Sequence, residues 1–205
     1  MMKSITAIVP IRKGSQRVKN KNLKDFAGTN LLKLKLETLT SVKSIDRVVV
    51  STDSDEAISI AKDFGVDHHV RDDYFASSKV NNSEYFHNLA ESIQGDYLMY
   101  SPVTSPLLSK ETYYECIEEF QGDEVENIVT VTPVKHHMWL DGAPLNYDIR
   151  NSPNSQDLPE IYSVTYGACI LSREDMLKYK NVVTENPTFK VLNEIEAVDI
   201  DTPLD

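Results

Sequence analysis

The fold is decided by one stretch near the start of the chain, Ile5-Thr6-Ala7-Ile8-Val9-Pro10-Ile11-Arg12-Lys13-Gly14-Ser15-Gln16-Arg17-Val18-Lys19-Asn20-Lys21-Asn22. Its first five residues are apolar or β-branched, and this composition predicts a buried β-strand. A proline and a basic loop with a glycine follow at once, which predicts that the strand ends there. In α/β folds, loops that follow buried strands in this way carry the ligand sites.

The same alternation of strand and helix continues along the chain. Short apolar runs predict further strands at Arg47–Ser51, Tyr97–Tyr100 and Asn127–Thr132. Apolar residues at helical spacing predict helices in the regions 31–39, 57–64, 83–93 and 112–120. Strands that alternate with helices imply right-handed crossovers and a mainly parallel sheet that is covered on both faces.

Parallel strands place the loops at their carboxyl ends on one edge of the sheet, where ligands bind. We therefore expect three loops to meet in one cleft: the loop from Pro10 onward, the loop Ser51–Asp55 and the loop Ser101–Pro106.

The second half of the chain departs from this pattern. Lys135–Leu158 is rich in Pro, Asn, Asp and Gly, which predicts an excursion from the sheet, such as a hairpin arm or a subunit contact. Strand-like segments return at Ile161–Leu171 and Ala197–Asp201. Because no repeat or linker interrupts the sequence, we expect one domain over residues 1–205, with residues 135–160 as its arm.

Composition bounds the class of protein. The chain has 205 residues, of which 40% are hydrophobic and 26% are charged, as in ordinary globular proteins. No apolar run approaches the roughly 18 residues of a membrane span, and the start lacks the pattern of a signal peptide. Its two cysteines, Cys116 and Cys169, fit neither a disulfide framework nor zinc spacing. We therefore expect a cytoplasmic protein.

Charge is distributed unevenly along the chain. The formal net charge of −11 argues against nucleic acid as a partner, because phosphate backbones require a basic surface. Six of the 21 basic residues nevertheless lie close together, at Arg12, Lys13, Arg17, Lys19, Lys21 and Lys24. From charge alone, this segment is either a solvated loop or a site for a small anion.

The chemistry of the loop favours phosphate. Gly14 lets the backbone approach a ligand closely, and the Ser15 hydroxyl with neighbouring N–H groups can cradle phosphate oxygens. Arg12 and Arg17 can each make two charge-assisted hydrogen bonds to a phosphate, and Lys21 adds a point charge. The spacing matches neither the P-loop nor the Gly-x-Gly-x-x-Gly fingerprint.

The loop resembles the signature of the acylneuraminate cytidylyltransferase family, Pro-Ala-Arg-x-Gly-Ser-x-Arg followed by Lys-Asn. The matching positions are Pro10, Arg12, Gly14, Ser15, Arg17, Lys21 and Asn22, and Ile11 replaces the alanine. The resemblance implies a Rossmann-like three-layer α/β/α domain with a protruding dimerisation arm, of the nucleotide-diphospho-sugar transferase type. It also implies transfer of CMP from CTP to an acidic sugar, in a homodimer.

The resemblance assigns roles around the nucleotide. It places the side chains of Arg12, Ser15, Arg17 and Lys21 on the triphosphate and Asn22 near the nucleotide, with Arg12 and Lys21 as catalytic groups. It assigns Pro10 and Gly14 to nucleotide binding as well. Ser83 falls where the family has a polar motif that opens a helix, so it is either a nucleotide contact or a helix N-cap.

The acceptor half resembles the family less closely. Thr104-Ser105-Pro106-Leu107 matches the central Thr-Ser-Pro-Leu of the family's motif Gln-Pro-Thr-Ser-Pro-Leu-Arg. The flanking positions differ, because Pro102 stands at the glutamine, Val103 at the proline and Leu108 at the arginine. The resemblance assigns acceptor binding to Thr104 and Ser105. It extends this role to Gln156, Asp157 and Tyr162, in a region that matches the family's Gln-Asp-Leu-Pro motif.

Two aspartates close the pattern. On a strand, Asp199 and Asp201 would lie on one face, separated by about 7 Å of chain. Two carboxylates that converge on a triphosphate are natural Mg²⁺ ligands, directly or through water. Asp199 and Asp201 match the family's Asp-x-Asp-Thr, which implies that both bind the metal and that Asp201 is catalytic.

Three hypotheses for the function stay open. The chain transfers CMP to a sialic acid-like acceptor, it uses another acid (legionaminate, pseudaminate or 3-deoxy-manno-octulosonate), or it is a CTP-binding relative without turnover.

Overall fold

A computed structural model describes residues 2–14 and 17–205. Its strands are β1 Ile5–Pro10, β2 Arg47–Thr52, β3 Asp67–Val70, β4 Tyr97–Tyr100, β5 Asn127–Pro133, β6 Trp139–Leu140, β7 Ala143–Pro144, β8 Tyr162–Ser172 and β9 Thr188–Val191. Its helices are α1 Leu31–Ser41, α2 Asp55–Asp63, α3 Asp73–Ala76, α4 Asn82–Ser92, α5 Lys110–Phe120 and α6 Arg173–Tyr179, with a 3₁₀ turn at Ser155–Asp157.

Seven strands form one mixed sheet in the order β3-β2-β1-β4-β8-β5-β9. β1 pairs in parallel with β2 and with β4, β2 with β3, and β5 with β9. Only β8 is antiparallel to its neighbours in this sheet, β4 and β5. The predicted mainly parallel sheet is therefore confirmed, and β1 lies in its interior, between β2 and β4.

Apolar side chains cover both faces of the sheet. One cluster joins alternate residues of β1, such as Ile5 and Val9, to the apolar faces of α1, α2 and α5. A second cluster joins the opposite side chain Ile8 to α4 and α6. The period-two alternation of a strand thus supplies both cores, and the three-layer α/β/α architecture follows from it.

Polar side chains set the starts of the helices. Asn30, Ser54 and Ser109 each accept a hydrogen bond from a backbone N–H in the first turn of α1, α2 and α5. At α4, Asn81 and Glu84 form a capping box, which satisfies two N–H groups reciprocally. Asn81 is therefore the N-cap of α4, and the alternative that assigned this role to Ser83 is wrong.

The four strands predicted in the first two thirds of the chain and the four predicted helices are confirmed, as is the strand of the region 161–171. β3, β9, α3 and α6 were not predicted. The prediction of a strand at Ala197–Asp201 is wrong, because this segment follows a turn and β9 takes the edge of the sheet instead. The turn is closed by the N–H of Ala197, which donates to the carbonyl of Asn193 at 3.0 Å.

The excursion predicted after β5 contains a small antiparallel ribbon. β6 and β7 pair with each other, apart from the main sheet. This arm exposes four large apolar side chains, Trp139, Leu140, Leu145 and Ile149. Within the described residues, no helix has both the length and the apolar character that crossing a bilayer requires.

Candidate active site

The loops after β1, β2 and β4 meet at the carboxyl edge of the sheet, which confirms part of the prediction; the first and third line a common cleft there, whereas no residue of Ser51–Asp55 does. The Ile11 N–H donates to the Ser51 carbonyl at 3.0 Å, and the Ser101 N–H donates to the Ile8 carbonyl at 3.0 Å. The Lys13 N–H donates to Asp53 Oδ1 at 2.7 Å, so the β2 loop also holds the basic loop. Strand pairing alone therefore brings the three loops together.

A cleft of about 480 Å³ opens between the basic loop and the end of the chain. This basic cleft is lined by Arg12, Arg17, Val18, Lys21, Asn22, Thr104 and Asp201. The Asp201 carboxylate lies 3.0 Å from Arg17 Nη1 and 3.0 Å from Lys21 Nζ. The Lys21 side chain is 11% exposed, compared with 66% for Arg17, so Lys21 is the better shielded of the two cations.

Contacts with neighbouring backbone fix the basic residues. Lys21 Nζ also donates to the Ile200 carbonyl. Arg12 is half-buried, and its Nη1 donates to the Ala76 carbonyl at 3.4 Å. The buried Asn22 side chain donates to the Arg12 carbonyl at 3.4 Å, so Asn22 holds the loop instead of facing solvent.

Two further residues of the basic loop were predicted to contact the nucleotide. Gly14 has φ of +80°, a left-handed conformation that favours glycine, and a Cβ there would meet nothing within 4 Å. The prediction for Gly14 is thus consistent with an open approach to the backbone. Ser15 lies outside the described residues.

The two C-terminal aspartates flank Ile200, whose N–H donates to the Thr104 carbonyl at 2.8 Å. The segment does not join the sheet, and a loop contact and the burial of Ile200 hold it in place. The Thr104 hydroxyl donates to the Asp199 carboxylate. Both aspartates therefore lie beside the basic loop, although the predicted strand is absent.

The environment of the aspartates suits a divalent cation. Asp199 is exposed as a whole, but its carboxyl group is partly withdrawn from water, and this desolvation raises its pKa, with the negative charge of Asp201 adding to the effect. Across residues 2–14 and 17–205, no three His, Cys, Asp or Glu side chains converge on one point. A pair of carboxylates beside a phosphate site fits Mg²⁺, which takes one or two carboxylates and completes its shell with phosphate and water.

A second cleft, of about 400 Å³, lies on the other side of Arg12. This aromatic cleft is lined by Pro10, Ile11, Arg12, Arg71, Asn82, Tyr85 and Tyr100, together with Phe75, Ser77, Ser78 and Val80. Arg12 thus borders both clefts. Pro10 was predicted to contact the nucleotide and lies here, whereas at the start of α4 Asn82 lines the cleft in place of the predicted Ser83.

Arg71 is the buried cation of the aromatic cleft and was not predicted from the sequence. It is 4% exposed, donates through Nη2 to the Ser51 carbonyl at 2.5 Å and lies with Cζ 5.0 Å from the centre of the Tyr85 ring. Burial raises the pKa of Tyr85 and Tyr100, which hydrogen-bond to each other, so both hydroxyls stay neutral. The cleft therefore presents a fixed cation and two phenolic hydroxyls.

The predicted acceptor residues are only partly brought together. Thr104 lines the basic cleft, but Ser105 is buried and its carbonyl accepts from Lys35 Nζ at 2.9 Å. Gln156 and Asp157 are exposed in the 3₁₀ turn and line neither cleft.

Tyr162 also lines neither cleft. Its ring packs 5.6 Å from that of Phe189 on β9, and its hydroxyl donates to Glu160 at 3.1 Å. Leu108, at the position of the family's arginine, is buried, and its Cδ2 lies against Gly167, 3.2 Å from where a Cβ would stand. The acceptor half is thus apolar at this position.

Comparison with known proteins agrees with this geometry. The model of the cytidylyltransferase family matches residues 6–150, which is more than half of the chain. The chain belongs to the cytidylyltransferase family. The activity predicted from the basic loop, transfer of a cytidylyl group, is thereby confirmed as the activity of its family.

Several curated members of the family are similar to the chain. The post-translational flagellin modification protein B of Campylobacter coli is 25% identical over 100% of this chain and 92% of its own length. The pseudaminic acid cytidylyltransferase of Campylobacter jejuni is 28% identical over 76% of this chain and 72% of its own. The N-acylneuraminate cytidylyltransferase of Escherichia coli is 25% identical over 100% of this chain and 51% of its own.

A solved structure supports the fold independently. The CMP:2-keto-3-deoxy-manno-octonic acid synthetase, solved as a complex with CTP, superposes with a TM-score of 0.71 over 98% of this chain and 94% of its own. Only 12% of the residues are identical, so this likeness bears on the fold alone. It confirms the nucleotide-diphospho-sugar transferase type predicted above.

Proposed function

We propose that the chain transfers CMP from CTP to a hydroxyl of an acidic, sialic acid-like sugar, releases pyrophosphate and depends on Mg²⁺. We place the reaction in the cytoplasm. One observation carries the proposal: Arg12, Arg17 and Lys21 line a single cleft together with Asp201, whose carboxylate lies 3.0 Å from both Arg17 and Lys21. Asp199, two residues before Asp201, adds a second carboxylate beside this cleft. A triphosphate with a bound divalent cation has the charge pattern that such a cleft complements.

In this proposal the triphosphate occupies the basic cleft and the nucleoside occupies the aromatic cleft. Arg12 borders both, which suits a group that contacts phosphates next to the nucleoside. Arg71 and the hydroxyls of Tyr85 and Tyr100 supply polar partners for a base or a ribose. Asn22 contributes by fixing the loop through the Arg12 carbonyl.

Asp199 and Asp201 are the residues that would hold Mg²⁺. When bound, the ion neutralises developing phosphate charge and polarises oxygens attached to it. An anion that enters the basic cleft also competes with Asp201 for Arg17 and Lys21, so triphosphate binding frees this carboxylate for a cation. We therefore expect CTP and the metal to bind cooperatively.

The transfer itself needs no covalent enzyme intermediate. The acceptor hydroxyl oxygen forms a bond to the α-phosphorus of CTP, the bond to the β-phosphate oxygen breaks, and the hydroxyl proton passes to solvent or to a neighbouring carboxylate. Arg12 and Lys21 stabilise the charge that accumulates on the departing pyrophosphate. The chain's main contribution is to position two substrates and to neutralise charge.

The class of acceptor is argued from the named relatives and from two residues of the acceptor half. Two of the relatives are named for pseudaminic and N-acylneuraminic acids, which supports an acid of this class. Pro102 and Leu108 lack the amide and the guanidinium that the family carries at these positions. We therefore propose an acceptor that is held by other groups, with legionaminate, pseudaminate and octulosonate types as the alternatives.

We also propose that the chain acts as a homodimer through its arm. Trp139, Leu140, Leu145 and Ile149 are between 48% and 60% exposed, an apolar surface that a second subunit could cover. The arm follows β5 and leads back into β8, beside the predicted acceptor residues Gln156, Asp157 and Tyr162.

A pyrophosphate-release screen tests the proposal. CTP is combined with Mg²⁺ and a panel of nine- and eight-carbon acidic sugars, with ATP, GTP and UTP as controls. We expect release with CTP and at least one acid, and much less release with the other nucleotides. Tight CTP binding with no release for any acid would instead favour the non-catalytic alternative.

A further inference from the structure

Lys35 is a buried cation that neither cleft contains. It lies on the core face of α1 among Leu31, Leu36 and Leu39, and it is 2% exposed. Its Nζ donates to the Ser105 carbonyl at 2.9 Å and to the Tyr113 hydroxyl at 2.7 Å, and it lies 5.2 Å from the centre of the Tyr113 ring.

This burial is costly, which calls for an explanation. Within the described part of the chain, no carboxylate forms an ion pair with Lys35, and burial lowers its pKa to about 7. An apolar side chain of similar length would fill the same space without the cost of desolvating an ammonium group. What Lys35 provides beyond volume is its pair of hydrogen bonds.

Those hydrogen bonds hold both ends of one loop. At the first residue of the loop, Ser101 Oγ lies 2.5 Å from the Tyr113 hydroxyl and donates to the Gly167 carbonyl at 3.1 Å. At the far end, Lys35 binds the Ser105 carbonyl directly. Between these two anchors lies Thr104, whose carbonyl and hydroxyl hold Ile200 and Asp199.

Helix α1 also contacts the opposite side of the basic cleft. Near its start, the Leu32 N–H donates to the Asn22 carbonyl at 3.3 Å. Asn22 in turn holds the basic loop through the Arg12 carbonyl. About one turn later, Lys35 holds the loop that carries Thr104. Helix α1 thus contacts both the basic loop, through Asn22, and the loop that carries Thr104, through Ser105.

We propose that Lys35 is a positioning residue for cytidylyl transfer, which holds Thr104 through Ser105 and so sets the carboxylates of Asp199 and Asp201 against the basic loop. This inference rests on the proposed function, because it assigns the carboxylates to a divalent cation. Lys35 touches neither substrate, so its effect falls on metal binding and on the transfer step, with little effect on the affinity for CTP.

The test compares Lys35→Met, Tyr113→Phe and the control Leu36→Met. Lys35→Met keeps the length and the apolar stem but removes both donated hydrogen bonds, and Leu36→Met changes a neighbouring core residue of α1 that holds no loop. Three quantities are measured: kcat and KM with CTP and acceptor, the Kd of CTP in the absence of divalent cations, and the affinity of the protein–CTP complex for Mn²⁺ by electron paramagnetic resonance.

For Lys35→Met we expect kcat to fall about tenfold or more and Mn²⁺ affinity to fall about fivefold or more, while the Kd of CTP changes less than threefold. Tyr113→Phe should shift the same quantities by a smaller factor, and it carries the test if Lys35→Met does not fold. Leu36→Met should match the wild type in all three.

Wild-type kcat and Mn²⁺ affinity in Lys35→Met would overturn the proposal. Equal losses in CTP affinity, Mn²⁺ affinity and kcat would also overturn it, because they indicate a general loss of structure. If the wild type releases no pyrophosphate with any acid, the proposed function fails, but the Mn²⁺ measurement on the CTP complex still decides the role of Lys35.

Discussion

Arg12 borders both clefts, and its replacement tests the assignment of the phosphates. Arg12→Ala should lower kcat/KM for CTP by about 100-fold or more, because a preorganised charged donor next to the transferred group is lost. Pyrophosphate release at saturating acceptor measures this effect. Lys13→Ala is the matched control, since Lys13 is an exposed cation of the same loop that lines neither cleft. Retained turnover in Arg12→Ala would exclude the phosphate role.

Asp201 either binds the metal or serves only as the ion-pair partner of Arg17 and Lys21, and one variant distinguishes these roles. As a metal ligand, Asp201→Asn should raise the Mg²⁺ concentration for half-maximal rate by about tenfold or more, because a carboxylate is replaced by a weaker neutral ligand. As a mere partner of Arg17 and Lys21, the variant would lose activity with an unchanged Mg²⁺ response. A titration of rate against Mg²⁺ distinguishes the two, with the exposed Asp123→Asn as control.

The lowered pKa of buried Lys35 should make the stability of the protein depend on pH. Its pKa is about 7 when folded and 10.5 in its ordinary state, so between these values the unfolded chain binds more protons and the free energy of unfolding rises with pH. Below pH 7 the ammonium is charged in both states and the cost of burial is fully present. Burial raises the pKa of Tyr113, so this residue contributes with the opposite sign, but only as the pH approaches 10, where the unfolded chain begins to lose the phenolic proton. Lys35→Met retains Tyr113, so this contribution cancels in the comparison of the two proteins.

Urea unfolding at pH 6, 7.5 and 9 measures this effect against Lys35→Met. The free energy of unfolding of the wild type should rise relative to the variant by up to about 1.4 kcal/mol for each pH unit between 7 and 10. A difference that stays flat over this range would show that Lys35 remains charged when buried.

At the scale of elements, the start of α4 separates stability from binding. Asn81 closes the capping box, while its neighbour Asn82 lines the aromatic cleft. Asn81→Ala should lower the free energy of unfolding by about 1 kcal/mol and leave the Kd of CTP unchanged. Asn82→Ala should raise the Kd of CTP and leave the free energy of unfolding unchanged. Urea unfolding and CTP titration of both variants test this, and a loss of CTP affinity in Asn81→Ala alone would contradict the assignment.

The strands differ in how well the sequence predicts them. β1 and β2 could be predicted because they are buried on both faces, so nearly every residue is apolar or β-branched. β3 reads Asp-His-His-Val at the edge of the sheet and has no such pattern, so Arg71 directly after it was missed. Ala197–Asp201 shows the opposite error, since an alternating segment was predicted as a strand but finds no partner in the sheet.

At the scale of the whole molecule, the arm should decide the oligomeric state. Replacing Trp139 and Leu140 together by Asp should convert a dimer into monomers, because charges would be buried in an apolar interface. Sedimentation velocity measures the change. Val70→Asp is the control, because Val70 is equally exposed but lies on β3 at the far edge of the sheet. A wild type that sediments as a monomer would exclude the proposed homodimer.

The sequence by itself determined the fold class and the cationic half of the site. Buried parallel strands need continuous apolar runs, and the basic loop lies within one short stretch of chain, so local patterns were sufficient for both. The apolar spacing of residues 31–39 predicted helix α1, but the burial of Lys35 on its core face was not predicted.

Only the tertiary structure decided what those local patterns face. Arg71 reaches the site from an edge strand, and Lys35 meets Ser105 seventy residues away. Asp199 and Asp201 reach the basic loop through contacts of the intervening Ile200 and not through a strand. Such contacts depend on how the crossovers bring distant segments together and bury them. They produce no periodic pattern of apolar residues, so they cannot be predicted from the sequence.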